Sequence, residues 1–240
     1  MTELKNLLTK QRSKERWLIK NFIGMGEIAI MYAPKDHHKT GMALKIAMEV
    51  ATGSQELGAS LNGKVLYYAL DNPNETEMLN RVIALMENSY PDHLEEIGLN
   101  LHIDWEELNL TRTNYEDYID EDEDGNPIHL TWHKIGRLWR NEFFFDEIYS
   151  LIIIDTLSKA LVGGGVNDDA IIRKVIFNLR QIIKGANNNL SILLIHHSGK
   201  DARKGMMGTS ILSNDISTVF KIKKKKDGFD LIRERHKSAF

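Results

Sequence analysis

Four short stretches of the chain are apolar without alternating: residues 27–32, 64–70, 149–154 and 191–195. Runs of that length, rich in Ile, Val, Leu and Tyr, read as strands. Alternation would leave one face to water. Its absence predicts burial on both faces, and therefore a parallel sheet flanked by helices. Between the runs, apolar residues recur at helical spacing. Leu44, Ile46, Ala47 and Val50 fall on one side of a helix over 40–52. Leu79, Val82, Ile83 and Met86 do so over 75–88, and Ile171, Val175, Ile176, Leu179 and Ile182 over 170–184. Strands alternating with helices predict an α/β fold built from right-handed βαβ units, with a mostly parallel central sheet.

The ends follow a different pattern. Residues 1–20 read as a charged helix or arm leading into Trp17-Leu18-Ile19. Residues 217–240 read as two strands around the turn Asp227-Gly228, an antiparallel hairpin at the sheet edge. Residues 112–130 are dense in Asp and Glu and interrupt the rhythm, so they read as an insertion. No repeat or flexible linker divides the chain, and residues 1–240 are expected to form one domain. The run Asp120-Glu121-Asp122-Glu123-Asp124-Gly125 resembles the start of a calcium loop. Such a loop needs a bidentate Glu at its twelfth position, where this chain has Thr131. A solvated acidic hairpin around Gly125-Asn126-Pro127 is the expectation there.

Composition narrows the picture. The chain has 240 residues, 42% hydrophobic and 27% charged, which suits a large open-sheet domain with a sizeable core. A net charge of -3 argues against a generally basic nucleic-acid coat while allowing a local basic groove. There is no cysteine, which excludes disulfides, thiolate metal sites and thiol nucleophiles. Met1-Thr2-Glu3-Leu4-Lys5 carries an acid and no apolar stretch, so no secretory signal is expected. No apolar run reaches the roughly 18 residues of a membrane span. The expectation is a cytoplasmic protein with no membrane partner.

Candidate chemistry gathers where the strands end. After the first comes Ala33-Pro34-Lys35-Asp36-His37-His38-Lys39-Thr40-Gly41, and Lys39-Thr40 opens a helix. Strand, loop and helix in that order are the context of a phosphate-binding P-loop, where backbone N–H groups and a helix N-terminus cradle phosphate oxygens. Lys39 would reach the β- and γ-phosphates of ATP, and the Thr40 hydroxyl would ligate Mg²⁺. The P-loop pattern asks for Gly at both ends, where this chain has Ala33 and His38. A side chain at His38 would crowd the phosphate and force a positive φ, a strain of about 1 kcal/mol.

Asp155 follows the third strand, at the edge where open α/β sheets bind ligands. It would hold Mg²⁺ through water or through Thr40, although an Asp there also suits a helix cap. His196 and His197 end the fourth strand, and one of them could sense the γ-phosphate; the alternative is a structural histidine. Asp71 ends the second strand, placed to orient or polarise the attacking water. Any one of these placements is unremarkable; all four in this order point to one Mg–nucleotide site.

With those residues the chain resembles the RecA superfamily, and within it the AAA_25 or RepA-like group of plasmid and phage replicative helicases. The likeness runs from Trp17 to about Lys237. It includes Trp17-Leu18-Ile19-Lys20, then Gly24-Met25-Gly26-Glu27. Its most specific stretch is His196-His197-Ser198-Gly199-Lys200-Asp201, continuing to Gly208-Thr209-Ser210. The resemblance implies a RecA-like P-loop fold with Lys39 and Thr40 on phosphate and Mg²⁺ and Asp155 as the second carboxylate. It puts Asp71 at the catalytic acid and His197, with His196 as alternate, at the γ-phosphate sensor. It further implies Lys200, Arg203 and Lys204 on a loop facing single-stranded DNA. Arg235 and Lys237 would be the groups that reach a neighbour's nucleotide in a homo-oligomeric ring, a hexamer by preference.

The chain departs from that family at three places. His38 stands for the loop Gly, Asp71 is one methylene shorter than Glu, and Ser217 lies near the family's arginine finger. Such a finger can be worth about 10³–10⁵ in rate. Three functions are therefore carried forward. One is a ring-forming, DNA-dependent ATPase of replication or recombination. Another is a non-hydrolysing nucleotide-binding or scaffold protein of the same fold. The third is a RecA-like regulator acting on protein partners.

Overall fold

The computed structural model describes residues 16–71, 74–105, 108–111, 120–121, 127–128, 149–199 and 205–237. The described residues open with a short antiparallel pair, β1 (Trp17–Ile19) and β2 (Ile23–Gly24). The elements that follow are β3 (Ile28–Ala33), α1 (Lys39–Thr52), β4 (Lys64–Ala69), α2 (Glu75–Ser89), α3 (Leu94–Asn100) and β5 (Leu101–Asp104). Within the acidic stretch, β6 (Asp120–Glu121) pairs antiparallel with β7 (Pro127–Ile128), which matches the expected hairpin. Then come β8 (Tyr149–Asp155), α4 (Asp169–Gly185), β9 (Ser191–His197), α5 (Ser210–Asp215), β10 (Thr218–Lys225) and β11 (Gly228–His236).

Seven strands form one sheet in the order β11-β10-β3-β9-β8-β4-β5. All neighbours are parallel except the β10–β11 edge hairpin. This is the mostly parallel α/β sheet with a C-terminal antiparallel hairpin that the apolar runs predicted. Strand β9 lies between β3 and β8, so the phosphate loop and Asp155 sit on strands separated by one intervening strand.

The pleat sorts the core into two layers, because successive side chains alternate between faces. Met31, Ala33, Tyr67, Ala69, Ile153 and Ile195 pack against α1. Ile30, Tyr32, Leu66, Tyr68, Ile154 and Leu194 pack against α4. Helix α1 is buried along nearly its whole length, which is why its apolar stripe looked broad in the sequence. Of the charged helix or arm expected over residues 1–20, Trp17–Ile19 is strand, and residues 1–15 lie outside the described residues. Here the lead-in meets the C-terminal hairpin. The Trp17 ring stacks on His236 at 5.1 Å, and Phe22 stacks on Phe220 at 4.3 Å.

Candidate nucleotide site

The loop after β3 begins at Pro34, which has no N–H to continue a ladder. Asp36 (φ 61°) and His38 (φ 52°) are both left-handed, the second at the position where the phosphate-loop pattern has Gly. The positive φ expected of His38 is what the structure shows. The feared crowding takes another form, because the His38 ring tilts onto Phe229 of β11, centroids 4.6 Å apart.

Helix α1 starts differently from its neighbours. Asn74 caps α2 by accepting from the Glu77 N–H, and Asp168 caps α4 by accepting from Ala170 and Ile171; both helices carry acid in the first turn. By contrast α1 has no side-chain cap and no first-turn acid. Its leading N–H groups and the positive end of its dipole are left available to an anion. A Cβ built on Gly41, in that first turn, would meet nothing within 4 Å, so the space beside it is open. The Nδ1 of His37 in the loop is buried without a hydrogen-bond partner.

Lys39 is 7% exposed, and its Nζ donates to the Pro34 carbonyl at 2.9 Å. Burial lowers its ammonium below the ordinary lysine range, while Asp155, Asp71 and Asp36 pull it back up. A cation held by one neutral carbonyl would gain a stronger, charge-assisted bond from a phosphate oxygen.

Asp155 is 4% exposed at the end of β8, and the peptide bond after it is cis. Its Oδ2 accepts from Thr40 Oγ1 at 2.7 Å and from the Tyr67 hydroxyl, also at 2.7 Å. Burial pushes this carboxyl above the ordinary range, against the two hydrogen bonds, which favour the ionised form. Asp71 is tied to the same place through its backbone, its N–H donating to the Asp155 carbonyl at 3.0 Å. The Asp71 side chain is exposed and stands 3.9 Å from His197 Nε2.

The two histidines separate by pleat. His197 shares the α1 face with Asp155, whereas His196 turns into the opposite layer. Burial lowers the His197 imidazole first, and the Lys39 charge lowers it further. His196 is fully buried, and its Nε2 meets the Met207 carbonyl at 2.8 Å. A carbonyl only accepts, so Nε2 carries the proton and Nδ1 is left as a buried lone pair without a partner. Burial depresses this imidazole to about 4.

Lys200, Arg203 and Lys204 lie outside the described residues. The base of their loop is described: Gly199 N–H donates to Gly205 O at 3.4 Å, and Ser198 bridges Met206. Arg235 and Lys237 do not approach the phosphate loop of their own chain. The Arg235 guanidinium donates to the Ser213 carbonyl, and Lys237 Nζ donates to Asn214 O at 2.5 Å. Both cations meet the closing carbonyls of α5, where a helix terminus favours positive charge. The sequence reading missed Tyr67 altogether. A tyrosine in an apolar strand reads as filler, and only the β4–β8 register shows that its hydroxyl reaches Asp155.

Among the described residues no cluster of three or more His, Cys, Asp or Glu forms a metal cage. Thr40 and Asp155 alone suit Mg²⁺, which keeps several waters and leans on substrate phosphates rather than on an all-protein shell. The residues present therefore fit a Mg–nucleotide.

Sheet order, uncapped helix and paired Thr40–Asp155 define a P-loop nucleotide-binding protein of RecA-like fold. The chain belongs to the AAA domain family (AAA_25), which matches residues 2–203. That membership makes it a nucleotide-binding ATPase domain. No curated protein matches the sequence. No helix among the described residues is long and apolar enough to cross a membrane.

Proposed function

We propose that this chain is a Mg²⁺-dependent ATPase of the RepA-like replicative kind, working on single-stranded DNA as a homo-oligomeric ring, with a hexamer the favoured form. The reading is carried by the acid-free, uncapped start of α1 next to Lys39, with Thr40 bonded to Asp155. Nucleotide phosphates would lie on the N–H groups of the Ala33–Gly41 loop, with Lys39 released from the Pro34 carbonyl onto them. Thr40 and Asp155 would hold the cation, which supplies charge neutralisation on the phosphoryl oxygens. His197 faces the same edge as a neutral imidazole able to hydrogen-bond the terminal phosphate. Asp71, 3.9 Å from His197, would orient the attacking water. The DNA role rests on the family resemblance and on the closed base of the loop that carries Lys200, Arg203 and Lys204. Arg235 and Lys237 would reach a neighbour only by leaving their α5 carbonyls.

The test is phosphate release by wild type and Lys39→Ala, each with and without single-stranded DNA. Wild-type turnover stimulated by DNA, with nucleotide affinity falling about tenfold or more in the variant, is expected. Equal nucleotide binding by Lys39→Ala would remove the central residue of the proposal.

A second reading has its own observation. The Asp71 carboxylate is short and exposed, and it faces the His197 ring at 3.9 Å. A site that binds nucleotide without hydrolysing it would look like this. Tight ATP binding with no Lys39-dependent phosphate release, under either condition, would favour it.

A further inference from the structure

Asp155 Oδ2 accepts two hydrogen bonds, and the donors differ in permanence. Thr40 sits at the start of α1, where its oxygen is the group that would turn to a cation. Tyr67 is fully buried in the middle of the sheet, on β4. In the parallel β4–β8 register Tyr67 lies opposite Ile153 and Ala69 opposite Asp155. Tyr67 is thus one pleat short of the carboxylate on the same face, and its ring length carries the hydroxyl to Oδ2 at 2.7 Å. The ring packs in the layer beneath α1 with Ile153 and Ala69, so it has little freedom to swing away.

Once Thr40 turns its oxygen to the cation, the hydroxyl of Tyr67 is the anchor that stays on Asp155. We propose that Tyr67 is a positioning residue of the metal site, holding the Asp155 carboxylate in its working orientation while Thr40 is engaged elsewhere. Tyr67 touches neither cation nor phosphate; it acts through Asp155. The inference rests on the functional reading above. A ligating carboxylate held by its own hydrogen-bond partner binds metal about 10–100-fold better than one left free. The competing account is that the hydroxyl merely finds a partner for its own burial. In that case its loss would disturb the whole domain and not the metal step.

The experiment compares full-length wild type with Tyr67→Phe, which keeps the ring volume. A non-hydrolysable fluorescent ATP analogue is titrated first in EDTA and then with increasing Mg²⁺. The metal-free affinity, measured on the same sample, reports folding and the phosphate loop. The expected result is metal-free affinity within about twofold of wild type and a Mg²⁺ half-saturation raised about tenfold. In an Asp155→Asn background, removing the hydroxyl should change the Mg²⁺ titration no further. An unaltered Mg²⁺ titration overturns the inference, and so does an equal loss with and without metal. Wild type that binds no nucleotide overturns the functional reading and takes the inference with it. Wild type that binds Mg–nucleotide beside an indifferent Tyr67→Phe overturns the inference alone.

Discussion

His38 shows how one residue can occupy a glycine position. Its φ of 52° costs on the order of 1 kcal/mol for a side chain of this type. The ring contact with Phe229 returns a comparable amount, about 0.5–1.5 kcal/mol. His38→Gly relieves the first and forfeits the second, so its melting temperature should differ from wild type by only a few degrees. A scanning-calorimetry shift above about 8 °C would show that one term dominates. The other informative residue is His196. Its folded imidazole, at about 4, lies below the ordinary 6.5, so the unfolded chain binds the proton more readily. That stability is fully present above 6.5 and is lost as pH falls from there through 4, up to about 3 kcal/mol. His196→Gln should flatten this part of the pH dependence. Melting curves at pH 7.5 and 5, with the same decrement in variant and wild type, would contradict it.

At the scale of elements, the phosphate loop and the C-terminal hairpin touch through the His38–Phe229 ring contact. Phe229→Ala should weaken nucleotide binding in the wild-type background and do much less in a His38→Gly background. The cycle should give a coupling of about 0.5–1.5 kcal/mol, and additivity in equilibrium titrations would refute the linkage. The strands that carry this site were legible because each is buried on both faces and so had to be written as an unbroken apolar run. β5 was not legible, since its four residues Leu101–Asp104 are only half-buried and mix His and Asp with Leu and Ile. α5 spans six residues, too short for periodicity to show. The loop, Asp71, Asp155 and the histidine pair could be read because their types follow directly on strand ends. The choice between His196 and His197, and the reach of Tyr67, depend on pleat and register, which a single strand's sequence does not carry.

At the scale of the molecule, the sheet has a chemical edge and a structural edge. The loop, Asp71, Asp155 and His197 share the carboxyl ends of the strands. Arg235 pairs with Val219, and Val219 with Ile30, which sets it nearer the amino edge. Arg235→Ala should therefore lower the melting temperature through α5. If Arg235 instead completed a neighbour's site, turnover would fall about 10³-fold or more with stability intact, and calorimetry beside phosphate release separates the outcomes. Between the edges runs β9, hydrogen-bonded to β3 on one side and β8 on the other, with Ser198 N–H also donating to Ala33 O at 2.9 Å. Its amides have no local way to reach water. They are expected to open to deuterium only when the sheet comes apart, with an exchange free energy in hydrogen-exchange measurements close to that of global unfolding. The slowest exchange in the protein is then expected directly beneath the candidate nucleotide site, slowed further by a factor of 1 + [nucleotide]/Kd when nucleotide binds.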